Sequence, residues 1–406
     1  MTTATAGPSA PRRHILIVGG AVLLASIAAF FRVPILPSLG AELRMDAAQL
    51  GLITTAFAVG RIVTDVPAGR LTDRVRTLTL LSSSSVILAI GSLMFASALT
   101  PPAVLTAAFV LGVSSSITNT TGMTFFSTAR PAASRGRSLA LYSASLLVGQ
   151  ALGPTAGGLL AGPFGWRGAL FGAAAVGIAL LLVTRVAAAT VRPAIGTVRA
   201  VGVTPAQGAT ASAPTTLDPS VAREIRILLL VPFTLFFVLG SLPQTLLPII
   251  GAERHGLDAA TIGTALGLGG LCRLLGVLVG GRVSDHIGRK AALLPGLLLM
   301  LGGVALLAVD GVGAWVGAIV LLSLGTSGLG SAATMLTDLT GGHGIGRRMG
   351  TFRLFGDLGL ITGPFVATRV YVVAGQQATV VVLGALLVLL TVIAARLVRE
   401  TRDRGA

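Results

Sequence analysis

RMDAAQLG at residues 44–51 returns as GLDAATIG at 256–263, and GRLTD at 69–73 returns as GRVSD at 281–285, both at an offset of 212 residues. Arg61 matches Arg273 at the same offset. Further along the register loosens: GRSLALY (136–142) aligns with GRRMGTF (346–352), and Gly149, Gly153 and Pro154 with Gly359, Gly363 and Pro364. One unit has been used twice.

The unit is apolar. Of the 406 residues, 53% are hydrophobic and only 11% charged, with a mean hydropathy of +0.89. A soluble chain carries about 25% charged residues, so polar outer faces are missing and the lipid bilayer is the expected surroundings. A helix needs about 20 apolar residues to cross. Twelve segments qualify: 15–37, 50–69, 78–99, 103–126, 138–161, 168–188, 227–250, 262–281, 291–309, 314–336, 350–373 and 378–397. The expectation is an all-α integral membrane protein with two pseudo-symmetric six-helix bundles, 1–188 and 227–406. They are joined by a linker at 189–226 rich in Ala, Thr, Pro and Gly. The polar start before the first apolar run resembles a signal peptide, but eleven further runs favour a retained helix.

Charge sets the orientation. With the N-terminus in the cytoplasm, 22 of the 30 Lys and Arg fall on the cytoplasmic side, three on the other, and five inside apolar segments. A multi-pass protein of the cell membrane, the inner membrane of a bacterium, with both termini cytoplasmic is expected. The formal charge of +16 does not mark a nucleic-acid binder, because the arginines are scattered and aromatics make up 5%. Cys272 is the only cysteine, and His14, His255, His286 and His343 lie far apart, so neither a disulfide nor a metal site is expected, and no cofactor. No enzyme-like nucleophile, metal set or phosphate loop stands out.

An internal duplication of six helices is the mark of secondary transporters whose halves rock about a central site. Beyond this, the residues resemble the major facilitator superfamily along essentially the whole chain. GGRVSDHIGRK (280–290) is similar to that family's loop motif, with His286 at one basic position; GRLTDRVRT (69–77) is a second copy with Arg76 in place of a Gly. GQALGPTAGG (149–158) is similar to the fifth-helix pattern of drug/proton antiporters. A helix-four arginine common in those antiporters is absent; Ala108 stands there.

The resemblance implies roles. Gly69, Asp73, Arg74, Gly281, Asp285 and Arg289 form a conformational latch, each Asp facing a helix end or basic loop of the opposite half. The smooth face of Gly149, Gly153, Pro154, Gly157 and Gly158 meets helix eight across the interface. The plainer alternatives are topology for the arginines and ordinary small-residue packing for the glycines.

Charges inside the membrane cost at least about 2.5–3.5 kcal/mol each, so they face partners or wet cavities. Arg61–Asp65 and Arg353–Asp357 are i,i+4 pairs. Counting from flanking arginines, Asp65 lies level with Arg353 and Arg61 with Asp357. A cross-helix four-charge gate that protons can weaken is one reading, two separate intrahelical pairs the other. Arg273 has Val277 where Arg61 has its acid, so its partner lies off its own helix. Arg32 either snorkels outward or faces the cavity. Asn119 and Gln244 are candidate polar contacts. With only two intramembrane acids, an anionic or neutral amphiphilic small molecule is the expected substrate. The function expected is proton-coupled efflux by a monomer. Uptake or exchange of an organic anion and lipid-like flipping are the alternatives, and a non-transporting receptor lacks the soluble domain it would need.

Overall fold

The computed structural model describes residues 12–129, 135–190, 219–339 and 345–401, and among them every regular element is helical. The helices are α1 (Arg12–Phe30), α2 (Leu36–Leu43), α3 (Ala47–Thr72), α4 (Thr77–Ala96), α5 (Pro101–Thr128) and α6 (Arg135–Thr190). The second half holds α7 (Pro219–Ser241), a π-helical turn at Leu242–Leu246, α8 (Leu247–His255) and α9 (Ala259–His286). It continues with α10 (Arg289–Leu306), α11 (Val312–Gly325), α12 (Gly328–Asp338) and α13 (Ile345–Leu397).

Ten stretches among the described residues are long and apolar enough to cross a membrane. Two are too long to cross once. α6 has 56 residues and α13 has 53, more than twice the length that spans a bilayer at about 1.5 Å per residue. Each turns back at a glycine with non-helical backbone, Gly165 (φ 68°) and Gly375 (φ 80°), a conformation closed to most side chains. Counted at these turns, the spans are twelve, as the apolar runs predict. Most of the expected linker, residues 191–218, lies outside the described residues.

The repeat has a local cause at each copy. Asp46 and Asp258 are N-caps, accepting hydrogen bonds from the backbone N–H of Gln49 at 2.7 Å and of Thr261 at 2.8 Å. RMDAAQLG and GLDAATIG are therefore helix starts, which fixes the rotation of α3 and α9 about their axes. Two expected spans are interrupted. The first breaks in a turn at 31–35, where Pro34 offers no backbone donor, and the tenth divides between α11 and α12.

With twelve spans, Arg12 and Thr401 fall on one side, called here the terminal side; the opposite side carries α2, α8 and the turn at Gly165. The largest apolar core gathers residues of α7 and α10–α13 around Trp315, Met300 and Leu322. Two others, around Ile35 and Phe57, belong mainly to α1–α6. Between the two sequence halves run two long seams, α3 against α13 and α6 against α9.

Candidate functional site

The α6–α9 seam is made of backbone. A Cβ at Gly158 would strike the carbonyl of Ala259, one at Gly263 the carbonyl of Pro154, and one at Gly270 the backbone of Ala151. The glycine face of the fifth span is turned elsewhere. Gly149, Gly153 and Gly157 press on α1: their Cβ positions lie 2.7 Å from the carbonyl of Leu23, 2.7 Å from that of Ile27 and 2.6 Å from that of Phe31. The expectation that this whole face meets helix eight is corrected accordingly. Of the five named residues Pro154 and Gly158 reach α9, and Gln150, Ala151 and Thr155 of the same stretch join them there. Residues four apart drift around a 3.6-residue helix, so one glycine row cannot serve two neighbours.

The α3–α13 seam follows the same plan near the far side and changes character toward the middle. A Cβ at Gly51 would lie 3.0 Å from the carbonyl of Pro364, the counterpart of Gly263 against Pro154. Thr55 Oγ1 donates to the carbonyl of Ile361 at 3.0 Å. Farther along, Arg61 Nη2 stands 3.5 Å from Asp357 Oδ1, with side chains 20% and 12% exposed. Asp65 and Arg353 lie within electrostatic reach of Asp357. Ser116 Oγ donates to Asp65 Oδ1, and Arg353 Nη1 reaches Met123 Sδ at 3.2 Å. Among the described residues, no ion pair within 4.0 Å joins Arg61 to Asp65 or Arg353 to Asp357. The ion pair runs between halves, at the level where residue counting places Arg61 and Asp357 together.

Arg32 is 1% exposed. It does not snorkel. Its guanidinium donates to Thr54 Oγ1 and to Gln244 Oε1, each at 3.4 Å, and lies 4.3 Å from the ring centre of Phe57. Thr245 Oγ1 donates to Thr54 Oγ1 at 3.0 Å, and Thr54 Oγ1 to the carbonyl of Gln244 at 3.4 Å. This knot ties the turn at 31–35 and α3 to the π-helical turn of the other half. Arg273 finds its off-helix partner across the second seam: Nη1 donates to Gln150 Oε1 at 3.2 Å. Asn119 is less engaged with the seams. Its Nδ2 donates to Ser115 Oγ at 3.3 Å, its carbonyl accepts from Tyr142 at 3.2 Å, and it lines a small polar cavity with Ser26 and Thr118.

Among the described residues, the motif's first glycines face open space and Asp285 pairs within its own half. Built Cβ atoms at Gly69 and Gly281 meet nothing within 4 Å. Asp73 sits at the C-terminal end of α3, followed by the exposed Arg74. Asp285 accepts from Arg289 at 2.6 Å, and Arg289 also reaches Asp338 at 3.4 Å, all inside the second half. The expected facing of Asp285 toward the opposite half is not made in this conformation, because Arg289 holds its carboxylate within the second half. The cross-half contacts named above run from the level of Arg61, Arg273, Gln150 and Arg353 to the far side.

Residue reading passed over Gln150, Thr54, Phe57, Thr245 and Ser116. One left a signal: Gln150 lies inside the quoted motif at 149–158. The others are ordinary membrane-helix residues with no spacing to mark them.

Two pseudo-symmetric sets of six spans, meeting along seams that carry charge at mid-membrane, define the helical fold of the secondary transporters. The chain belongs to the Major Facilitator Superfamily, whose family profile it matches over residues 18–272 and 234–406. It is 26% identical over 130 residues to the riboflavin transporter RibZ of Clostridioides difficile (strain 630), covering 32% of this chain and 28% of that one. It is 29% identical over 144 residues to the class C tetracycline resistance protein of Escherichia coli, covering 34% and 36%. The matched stretch thus spans about a third of the length of these two relatives. A solved bacterial homologue of the human lysosomal transporter Spinster, inward-facing and unoccupied, superposes with a TM-score of 0.78 at 17% identity, over 98% of this chain and all of that one.

Proposed function

We propose that this chain is a secondary active transporter that moves a small anionic or neutral amphiphilic molecule across the cell membrane by alternating access. The observation that carries the reading is the Arg61–Asp357 ion pair, which joins the repeat halves at mid-membrane. Residues 1–188 and 227–406 act as the two moving units, joined by the cytoplasmic linker at 189–226. The arginine-rich terminal side is cytoplasmic, so the conformation described is closed outward and relaxed inward. When the halves rock, the Arg32–Gln244 knot and the far-side glycine contacts separate. Gly69 and Gly281 then receive neighbours, and Asp73 and Asp285 latch the cytoplasmic side.

Protons couple through Asp65 and Asp357, which face each other among Arg61, Arg353, Ser116 and Tyr142. Protonating Asp357 removes one partner of the ion pair that still joins the halves while the cytoplasmic ends stand apart, and so loosens the remaining hold at that level. Export is the direction supported by the fifth-span motif and by the stretch shared with a tetracycline resistance protein. Organic-anion uptake is the second reading, favoured by Arg273, which has a glutamine where Arg61 has an acid. The unit at work is the monomer.

Flux in proteoliposomes under an imposed pH gradient tests the reading, with anions screened against cationic dyes and Asp65→Asn run in parallel. Gradient-driven flux that Asp65→Asn uncouples is expected. Flux indifferent to the gradient removes proton coupling, and a preference for cations removes the charge argument.

A further inference from the structure

The charges inside the membrane fall into two groups. Arg61, Asp65, Arg353 and Asp357 stand together and sum to zero. Arg32 and Arg273 stand apart from them in partner chemistry: each is held by a glutamine of the opposite half, Gln244 and Gln150, through Oε1. Among the described residues neither has an acid within 4.0 Å. Each also keeps a buried Nε with no partner, as Arg61 does, but without an acid on its other nitrogens. An uncompensated guanidinium removed from water is costly, and the duplication shows what is missing. Arg273 repeats Arg61, yet the position repeating Asp357 is Leu147 at the offset of 210 that relates Gly149 to Gly359. The two free positive charges therefore await partners that the chain does not supply.

The two sites also share a shape. In each, a planar guanidinium edge and a side-chain amide converge from opposite halves. A carboxylate entering there takes the place of the glutamine oxygen, accepts from Nε and Nη, and leaves the amide NH2 free to donate to it. They differ in depth. Arg61 and Arg273 each follow their capping aspartate by fifteen residues, so they lie level. Thr54, which holds Arg32, precedes Arg61 by seven residues, about 10 Å along the axis of α3.

We propose that the transported molecule is an elongated organic dianion, one anionic group held by Arg273 and Gln150 and the other by Arg32 and Gln244. This rests on the transport reading and narrows its substrate class. Because each fork is built from both halves, a dianion that fills both bridges the halves at two depths. A monoanion leaves one arginine uncompensated.

The test is binding to the purified full-length chain, measured by titration calorimetry with straight-chain α,ω-dicarboxylates from glutarate to sebacate and with their monomethyl esters. One diacid of the series binds about tenfold or more tighter than its ester, as one charge-assisted contact is worth. Arg273→Gln and Arg32→Gln each erase that preference, so that diacid and ester bind alike. Arg273→Lys and Arg32→Lys, which keep the charge and guard against misfolding, retain part of it. An ester that binds as well as its diacid overturns the proposal, as does a preference that survives either glutamine variant, or no binding anywhere in the series. Flux of the same diacid in proteoliposomes separates the two levels. Selective binding without flux leaves the dianion site standing and removes the transport reading; flux without diacid preference does the reverse.

Discussion

The two seams between the halves are copies of each other and do different work. Near the far side both are glycine against proline carbonyl: Gly51 on Pro364 in one, Gly263 on Pro154 in the other. At mid-membrane they part. The α3–α13 seam closes with a charge pair, Arg61 and Asp357, while the α6–α9 seam puts Arg273 on the neutral Gln150. Backbone contact is insensitive to pH and depends only on the absence of side chains. A carboxylate contact responds to protons and can be broken and remade. The duplication thus gives one seam that holds an acid between the halves and one that sets an arginine on a neutral amide.

The comparison breaks most sharply at the steric closure. Gly263→Leu and Gly158→Leu force the α6–α9 backbones apart, at a cost of about 1–3 kcal/mol each or more. Both variants are expected to lose far-side closure, read as labelling of single cysteines introduced at buried far-side positions that stay protected without the leucine. Full protection in both variants would mean that the seam is not what seals that side. Next comes the charge pair. Removing one partner of a partly buried pair costs about 1–3 kcal/mol, less than for a fully buried one. Asp357→Asn should lower the melting temperature, and the exchange Arg61→Asp with Asp357→Arg should restore part of it. An exchange no better than the sum of its singles contradicts a direct pairing.

Smaller effects sharpen the picture. Gly69→Ala and Gly281→Ala touch nothing here, so melting should stay within about 0.5 kcal/mol of the parent, while transport falls because the opposite conformation needs the space. Unchanged transport would free these glycines from a latch. The smallest effect lies at the far-side surface. There Arg167 Nη2 donates to Glu42 at 2.7 Å and Trp166 Nε1 at 2.6 Å, and these bonds hold the Glu42 carboxyl below its ordinary range. A depressed carboxyl stabilises above its unfolded pKa and loses that contribution as pH falls through the folded value. Glu42→Gln should therefore melt slightly lower than the parent at neutral pH, and the gap should close on acidification. A gap that widens in acid would contradict the sign.

Much of this was legible because the repeat is legible. Capping aspartates at 46 and 258 fix the helix starts. The off-helix partner of Arg273 follows from Val277, and the level of Arg61 with Asp357 from residue counts. Directions around a helix were harder. Spacing alone shows that Gly149, Gly153 and Gly157 share a face, but not that the face belongs to α1. Likewise Arg32 reads equally as a snorkelling or an interior arginine until the turn at 31–35 aims it at Gln244. Neutral partners such as Gln150 and Thr54 carry no charge to draw attention, and only a folded neighbour distinguishes them.

The central claim is that the two sides open in alternation, with Asp357 as the titratable hold on the terminal side. Spin labels at Ala41 and Arg254 report the far side, and labels at Arg76 and Arg282 the terminal side, all on exposed positions in opposite halves. Electron–electron distance measurements in lipid should give anticorrelated populations: as pH changes, one pair shortens while the other lengthens, and Asp357→Asn fixes the protein with the terminal pair long. Two pairs that lengthen together, or that ignore both pH and Asp357→Asn, would contradict it.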